Sequence, residues 1–200
     1  MSEQRPDVPR EILTERLWLH QYREGDAELV FEAIEESRAE LERWMPWATF
    51  IRDAQHLRDE MPRSLEAWAR GEDYGYTIRR REDERLLGSI NYQEPNWAIP
   101  RFDLGYWMRT SETGKGYVSE AVRGLVRVAF GRLGAKRVQI ACDENNTRSV
   151  RVAEACGFQY EGRMRHDHRM PNDELINGVY YSLIDTDEAA RRLLEQPEAT

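Results

Sequence analysis

Two segments of this chain carry residue types that could do chemistry. The first is Thr113-Gly114-Lys115-Gly116-Tyr117-Val118-Ser119, set between an alternating stretch and a helix-periodic one. Glycines there let backbone approach a ligand closely. The first amides of a helix lack intrahelical partners, and its dipole adds positive potential. Together they make an anion site, with a pyrophosphate as the natural guest. It is not a P-loop, because Arg109 stands where the first glycine belongs and Gly116 follows Lys115. It is not a Rossmann fingerprint either, because Ser119 replaces the last glycine and the preceding strand comes late in the chain. From the loop alone, a plain strand-to-helix connection remains the other reading.

The second segment is Asn146-Thr147-Arg148-Ser149, opening a short helix that ends near Gly157. Either Asn145 or Asn146 suits the N-cap, and Ser149 completes the first turn. Cys156 falls with Val152 and Ala153 on the apolar face and reads as core. Beyond them, Arg165-His166-Asp167-His168 offers an imidazole, neutral near pH 7, or a charged surface strand.

These residues need elements to position them. Val118, Ala121, Val122, Leu125, Val126, Ala129, Phe130 and Leu133 define one helical face over Val118–Leu133, closed by Gly134. Helices are also expected from Asp26 to near Pro46, over Asp53–Arg70 with a kink or break at Pro62, and over Asp187–Glu195, short and polar. Alternation predicts strands at Arg16–Tyr22, Tyr74–Arg80, Arg85–Gln93, Phe102–Arg109, Arg137–Cys142, Phe158–Arg165 and Glu174–Ile184, with a loop at Pro95–Pro100. Adjacent strand pairs combined with a βαβ unit argue a mixed sheet with helices packed on it. One domain over residues 13–186 is expected, after a loose tail at 1–12 and before a short helix and tail at 187–200.

Composition narrows the partners. The chain has 200 residues and a formal charge of −8, and two lysines (Lys115, Lys136) leave 27 arginines among its 29 basic residues. A net-acidic chain is a poor general nucleic-acid binder, and it weakly favours a cationic partner. No apolar run approaches a membrane span or a leader, and two cysteines make neither a disulfide framework nor a metal site. A cytoplasmic protein with no metal, membrane or nucleic-acid partner is the expectation. An anionic ligand must then find a local positive pocket, with Lys115, Arg109, Arg123, Arg148 and Arg151 as possible phosphate neighbours.

Taken in order, the motifs resemble the GNAT superfamily of N-acetyltransferases, in its RimJ/RimL-like branch. The pieces are Thr14-Glu15-Arg16-Leu17, Arg43-Trp44-Met45-Pro46-Trp47 and Leu104-Gly105-Tyr106-Trp107-Met108. They continue with Gly114-Lys115-Gly116-Tyr117 and Ser119-Glu120-Ala121. Asn146-x-x-Ser149 with Val152-Ala153-Glu154-x-x-Gly157-Phe158 and Glu161-Gly162 follows, then Tyr181-Ser182-Leu183. Thr113 and Val118 depart from the usual superfamily loop.

The resemblance implies an α/β (α+β mixed) GNAT fold, a mostly antiparallel twisted sheet of about six to seven strands with helices on both faces. It implies acetyl-CoA as donor, its pyrophosphate on the amides of Gly114 to Ser119 and its pantetheine beside Tyr106, Trp107, Met108 and Arg109. Asn146 would bind the cofactor arm from the other side, and Ser149 would hydrogen-bond the departing thiolate. In this branch a glutamate about ten residues after the Gly-Phe pair serves as base; here that position falls at His168, with Asp167 or a water chain as the alternatives. Trp44 and Trp47 would wall the acceptor pocket, or simply pack in the core. The acceptor would be a protein N-terminus, as in ribosomal-protein acetylation, or a small amine. A homodimer fits the family. The competing reading is a CoA-binding sensor that has lost catalysis.

Overall fold

The apolar stripe around Leu125 does form a helix, and that helix organises one face of the sheet. The computed structural model describes residues 6–195. In chain order the elements are β1 (Glu11–Leu13), β2 (Leu17–Gln21), α1 (Ala27–Trp44), α2 (Ala54–Arg70), β3 (Asp73–Arg80), β4 (Leu86–Asn96) and β5 (Arg101–Met108). Then come α3 (Tyr117–Gly131), β6 (Arg137–Asp143), α4 (Thr147–Ala155), β7 (Gln159–Arg169), β8 (Leu175–Ile184) and α5 (Glu188–Glu195). The strands form one sheet in the order β1-β2-β3-β4-β5-β6-β8-β7. Every neighbouring pair is antiparallel except β5 with β6.

Strand alternation assigns the two faces. Ile90 pairs with Tyr106 and Tyr92 with Leu104, on the side where α3 packs; the Tyr92 hydroxyl donates to Leu125 O at 2.5 Å. Ala121, Val122, Leu125, Val126 and Ala129 are fully buried there. Ser89 pairs with Trp107 and Asn91 with Gly105, on the opposite side, which α1 partly covers. A second apolar cluster, centred on Val30, Ile34 and Leu41, fills the space under α1.

Several expectations are corrected. The sheet has eight strands, because β1 adds one. Three residues are too few to show an alternation, yet Val8 and Ile12 are buried and Tyr76 donates to Pro9 O at 2.7 Å. The segment expected as a loose tail is therefore packed from Val8 onward; residues 1–5 lie outside the described residues. Helix α2 runs unbroken through Pro62, which sits on its exposed side. Strand β4 continues through Pro95 to Asn96, where a loop was expected. A register shift between Gln93 and Asn96, with Glu94 at φ 42°, accommodates the missing proline N–H. Helix α5 is amphipathic rather than polar, burying Ala190 and Leu193 beside α3. Among the described residues, no helix is long and apolar enough to cross a membrane.

Candidate active site

The site begins where the parallel pair comes apart. Strands β5 and β6 pair only over Arg101–Asp103 and Arg137–Gln139. Beyond that point Leu104–Met108 and Gln139–Asp143 line opposite walls of a cleft of about 1350 Å³. Backbone groups of β5 that would have continued the ladder face this cleft. They need partners, which water or an amide-bearing chain laid between the strands can supply.

One end of the cleft is the loop before α3. Gly114 (φ 77°) and Gly116 (φ 80°) both take left-handed conformations that a side chain would strain. Among the described residues, no acceptor is bonded to the amides of residues 114–119, while Glu120 N donates to Gly116 O. Gly114, Gly116, Tyr117, Val118 and Ser119 all line the cleft. This geometry can cradle an anion at a helix N-terminus.

The basic side chains are arranged differently from the sequence expectation. Lys115 Nζ lies 2.8 Å from Glu112 Oε2, and buried Glu112 also faces Arg80 at 3.4 Å and Arg85 at 3.5 Å. Arg109 is buried and turned toward α1, bonding Glu36 at 2.7 Å, Glu32 at 3.1 Å and Leu86 O at 2.7 Å. Neither is placed among the cleft-lining residues. Arg123 donates to Ala155 O, whereas Arg148 and Arg151 do line the cleft. Glu120 fixes the loop from behind. It accepts from Thr14 Oγ1 at 2.6 Å and from Arg16 N and Nε, both at 2.7 Å.

At the centre stands Ser149, buried on the first turn of α4. Its amide donates to Asn146 Oδ1 at 3.2 Å, so Asn146 is the N-cap. Its hydroxyl oxygen lies 2.8 Å from the Tyr106 hydroxyl. Burial pushes the Tyr106 phenol well above its ordinary range, so it keeps its proton, and either hydroxyl can donate to the other. Burial likewise pushes the Cys142 thiol up, with the Ser149 hydroxyl opposing. Trp107, Met108, Asn146 and Cys142 line the same cleft.

His168 enters from the opposite side. A register shift between Met164 and His168, with His166 at φ 52°, turns this part of β7. His168 Nδ1 lies 2.9 Å from Asp167 Oδ2, which accepts from the Tyr180 hydroxyl at 2.6 Å. Gly178 makes room for that carboxylate, since a β-carbon there would fall 2.0 Å from Asp167 Oδ2. Both His168 and Tyr180 line the cleft.

The outer wall comes from α1 and the turn after it. Trp44 donates to Glu40 Oε1 at 3.1 Å, and the Trp47 ring centroid is 6.1 Å from that of Trp107. Both tryptophans line the cleft. Of the five α1 acids Glu32, Glu35, Glu36, Glu40 and Glu42, the first and third hold Arg109, and Glu35 and Glu42 hold Arg38. Glu40 alone of these five faces the cleft. Reasoning from sequence missed Cys142 and Tyr180 as parts of the site, and it placed Tyr106 beside the pantetheine without its hydroxyl contact to Ser149. The signal for Tyr106 lay in the Gly105-Tyr106-Trp107 motif, whose tyrosine carries a hydroxyl on an otherwise apolar alternation.

Comparison with known proteins agrees with this geometry. Residues 16–159 match the family model for the acetyltransferase (GNAT) domain. The chain is 26% identical to the uncharacterized N-acetyltransferase p20 of Bacillus licheniformis, over 86% of this chain and 95% of that protein. It is 24% identical to the ribosomal-protein-serine acetyltransferase of Escherichia coli, over 84% and 89% respectively. The structure superposes on RimL, the ribosomal L7/L12 alpha-N-protein acetyltransferase solved with coenzyme A, at a TM-score of 0.82 and 21% identity, covering 88% of this chain and 99% of that one. Matched over most of its length by the domain and carrying the split β5–β6 pair, the chain belongs to the GNAT family of acetyltransferases, enzymes that use acetyl-CoA as donor.

Proposed function

We propose that this enzyme moves the acetyl group of acetyl-CoA onto the α-amine of a protein N-terminus by direct attack on the thioester. The observation that carries the reading is the continuity of one cleft, from the free amides of residues 114–119, past Ser149, to His168 and the Trp44–Trp47 wall. The named ribosomal-protein acetyltransferase relative supports a protein acceptor.

A thioester has a good leaving group, so no acyl-enzyme is needed. The loop amides hold the pyrophosphate and the open edge of β5 holds the pantetheine, fixing the reacting carbonyl. A backbone N–H of β5 near Met108 stabilises the developing oxyanion. The amine nitrogen bonds to the carbonyl carbon and the carbon–sulfur bond breaks. Ser149 gives its proton to the departing thiolate, and the Tyr106 hydroxyl donates to the Ser149 oxygen as it does so. His168, oriented by Asp167, takes the proton lost by the amine, directly or through water. Mass spectrometry tests the acceptor: a peptide with a free N-terminus gains one acetyl group at its α-nitrogen, and the same peptide with a blocked N-terminus gains none. Acetylation confined to lysine side chains would overturn this assignment.

A further inference from the structure

The face of the sheet opposite α3 carries a polar feature that the transfer steps above do not use. Along β4 the residues Ser89, Asn91 and Gln93 point to that face, in a strand whose other face is core. Asn91 Nδ2 donates to Asp73 Oδ2 at 2.6 Å. An ionised carboxylate only accepts, so this bond sets the amide with its nitrogen toward Asp73. Its oxygen is then aimed across the register at Gly105, the partner of Asn91 on β5. A β-carbon on Gly105 would lie 2.7 Å from Asn91 Oδ1 and 2.1 Å from Gln93 Nε2. Among the described residues, no donor is bonded to Asn91 Oδ1. Asn91, Gln93 and Gly105 all line the cleft. Gly105 is next in sequence to Tyr106, whose hydroxyl meets Ser149.

We propose that Asn91 Oδ1, held by Asp73 and exposed over Gly105, is the subsite that accepts an N–H of the acceptor amine. This rests on the acetyl-transfer reading above. An attacking amine must aim its lone pair at the carbonyl carbon, so its N–H bonds have to be met elsewhere. A carboxylate at this point would favour the ammonium form, which has no lone pair to give. An amide oxygen accepts the N–H of a neutral amine without that penalty. Asp73, one hydrogen bond behind, polarises and orients the amide but does not itself line the cleft. Asn91 is thus a binding residue for a neutral primary amine, and Asp73 a positioning residue acting through it.

The test is steady-state kinetics on the full chain with a free-N-terminus peptide, together with acetyl-CoA binding by calorimetry. Asn91→Leu keeps the side-chain bulk and removes the acceptor oxygen. It is expected to raise the KM for the peptide at least tenfold and lower kcat, while the Kd for acetyl-CoA stays within twofold. Asp73→Asn is expected to move the same two parameters in the same direction by a smaller factor. Retained acetyl-CoA affinity shows that each variant has folded. Peptide kinetics unchanged in both variants would overturn the subsite and leave the acetyl-transfer reading standing. Wild-type protein that releases no thiol with any amine would overturn both.

Discussion

The Tyr106 hydroxyl lies 2.8 Å from Ser149 Oγ, joining the strand that borders the cleft to the first turn of α4. Burial keeps the phenol protonated, and either hydroxyl can donate to the other. When Tyr106 donates, Ser149 is free to point its own proton into the cleft. Ser149→Ala is expected to lower kcat at least several-fold with little change in acetyl-CoA affinity. Tyr106→Phe is expected to lower kcat less, since Ser149 remains. Stopped-flow thiol release separates the two, and an unchanged kcat in Ser149→Ala would remove this residue from the mechanism.

Lys115 lies in the anion loop, but its ammonium is bound to Glu112 at 2.8 Å. The backbone amides are therefore expected to do most of the holding. Lys115→Ala should weaken acetyl-CoA binding by no more than a few-fold by calorimetry. A hundredfold loss would show that the side chain swings to the phosphates and that the amides are secondary.

Glu120 makes three hydrogen bonds to Thr14 and Arg16, about a hundred positions earlier in the chain. Bonds to charged groups contribute roughly 1.5–3 kcal/mol each when buried, and less at a partly exposed site. Glu120→Ala is expected to cost about 1–3 kcal/mol in urea unfolding at unchanged m-value. Its kcat at saturating acetyl-CoA should stay near wild type, because the carboxylate faces away from the chemistry.

Burial pushes the Asp73 carboxyl up to about 6, against the Asn91 amide that favours the charged form. Between about pH 4 and pH 6 the folded chain then keeps a proton that the unfolded chain has lost. The stability contribution of this group falls as pH rises through that window. Asp73→Asn abolishes that titration, so its Tm relative to wild type should rise by several degrees from pH 4 to pH 7. An equal offset at both pH values would contradict the buried, raised carboxyl. Tyr22, whose hydroxyl is buried nearby against Ser89, titrates far above this range and does not confound it.

Much of the scaffold was legible in the sequence because period-3.6 and period-2 patterns are local. The face of α3, a cap at Asn145 or Asn146 and the strand at Phe102–Arg109 all follow from residues within a turn or two of each other, and the structure settles the cap on Asn146 and ends the strand at Met108. Strand β1 was not, because three residues carry no period. Arg109 was misplaced toward the phosphates because its partners, Glu32 and Glu36, stand 77 and 73 positions away. The Asp73–Asn91 pair is equally non-local, spanning two strands. Motif order pointed to residues 113–119 and to Ser149, and the structure brings both to one cleft. The wiring between them depends on sheet register, which no single segment encodes.

The most direct measurement is thiol release from acetyl-CoA by the wild-type protein against a panel of peptides and small amines. The account predicts one thiol per acetylated amine, released only when a free primary amine is present. Acetyl-CoA binding with no release on any acceptor would contradict it, and would leave a CoA-binding sensor in its place.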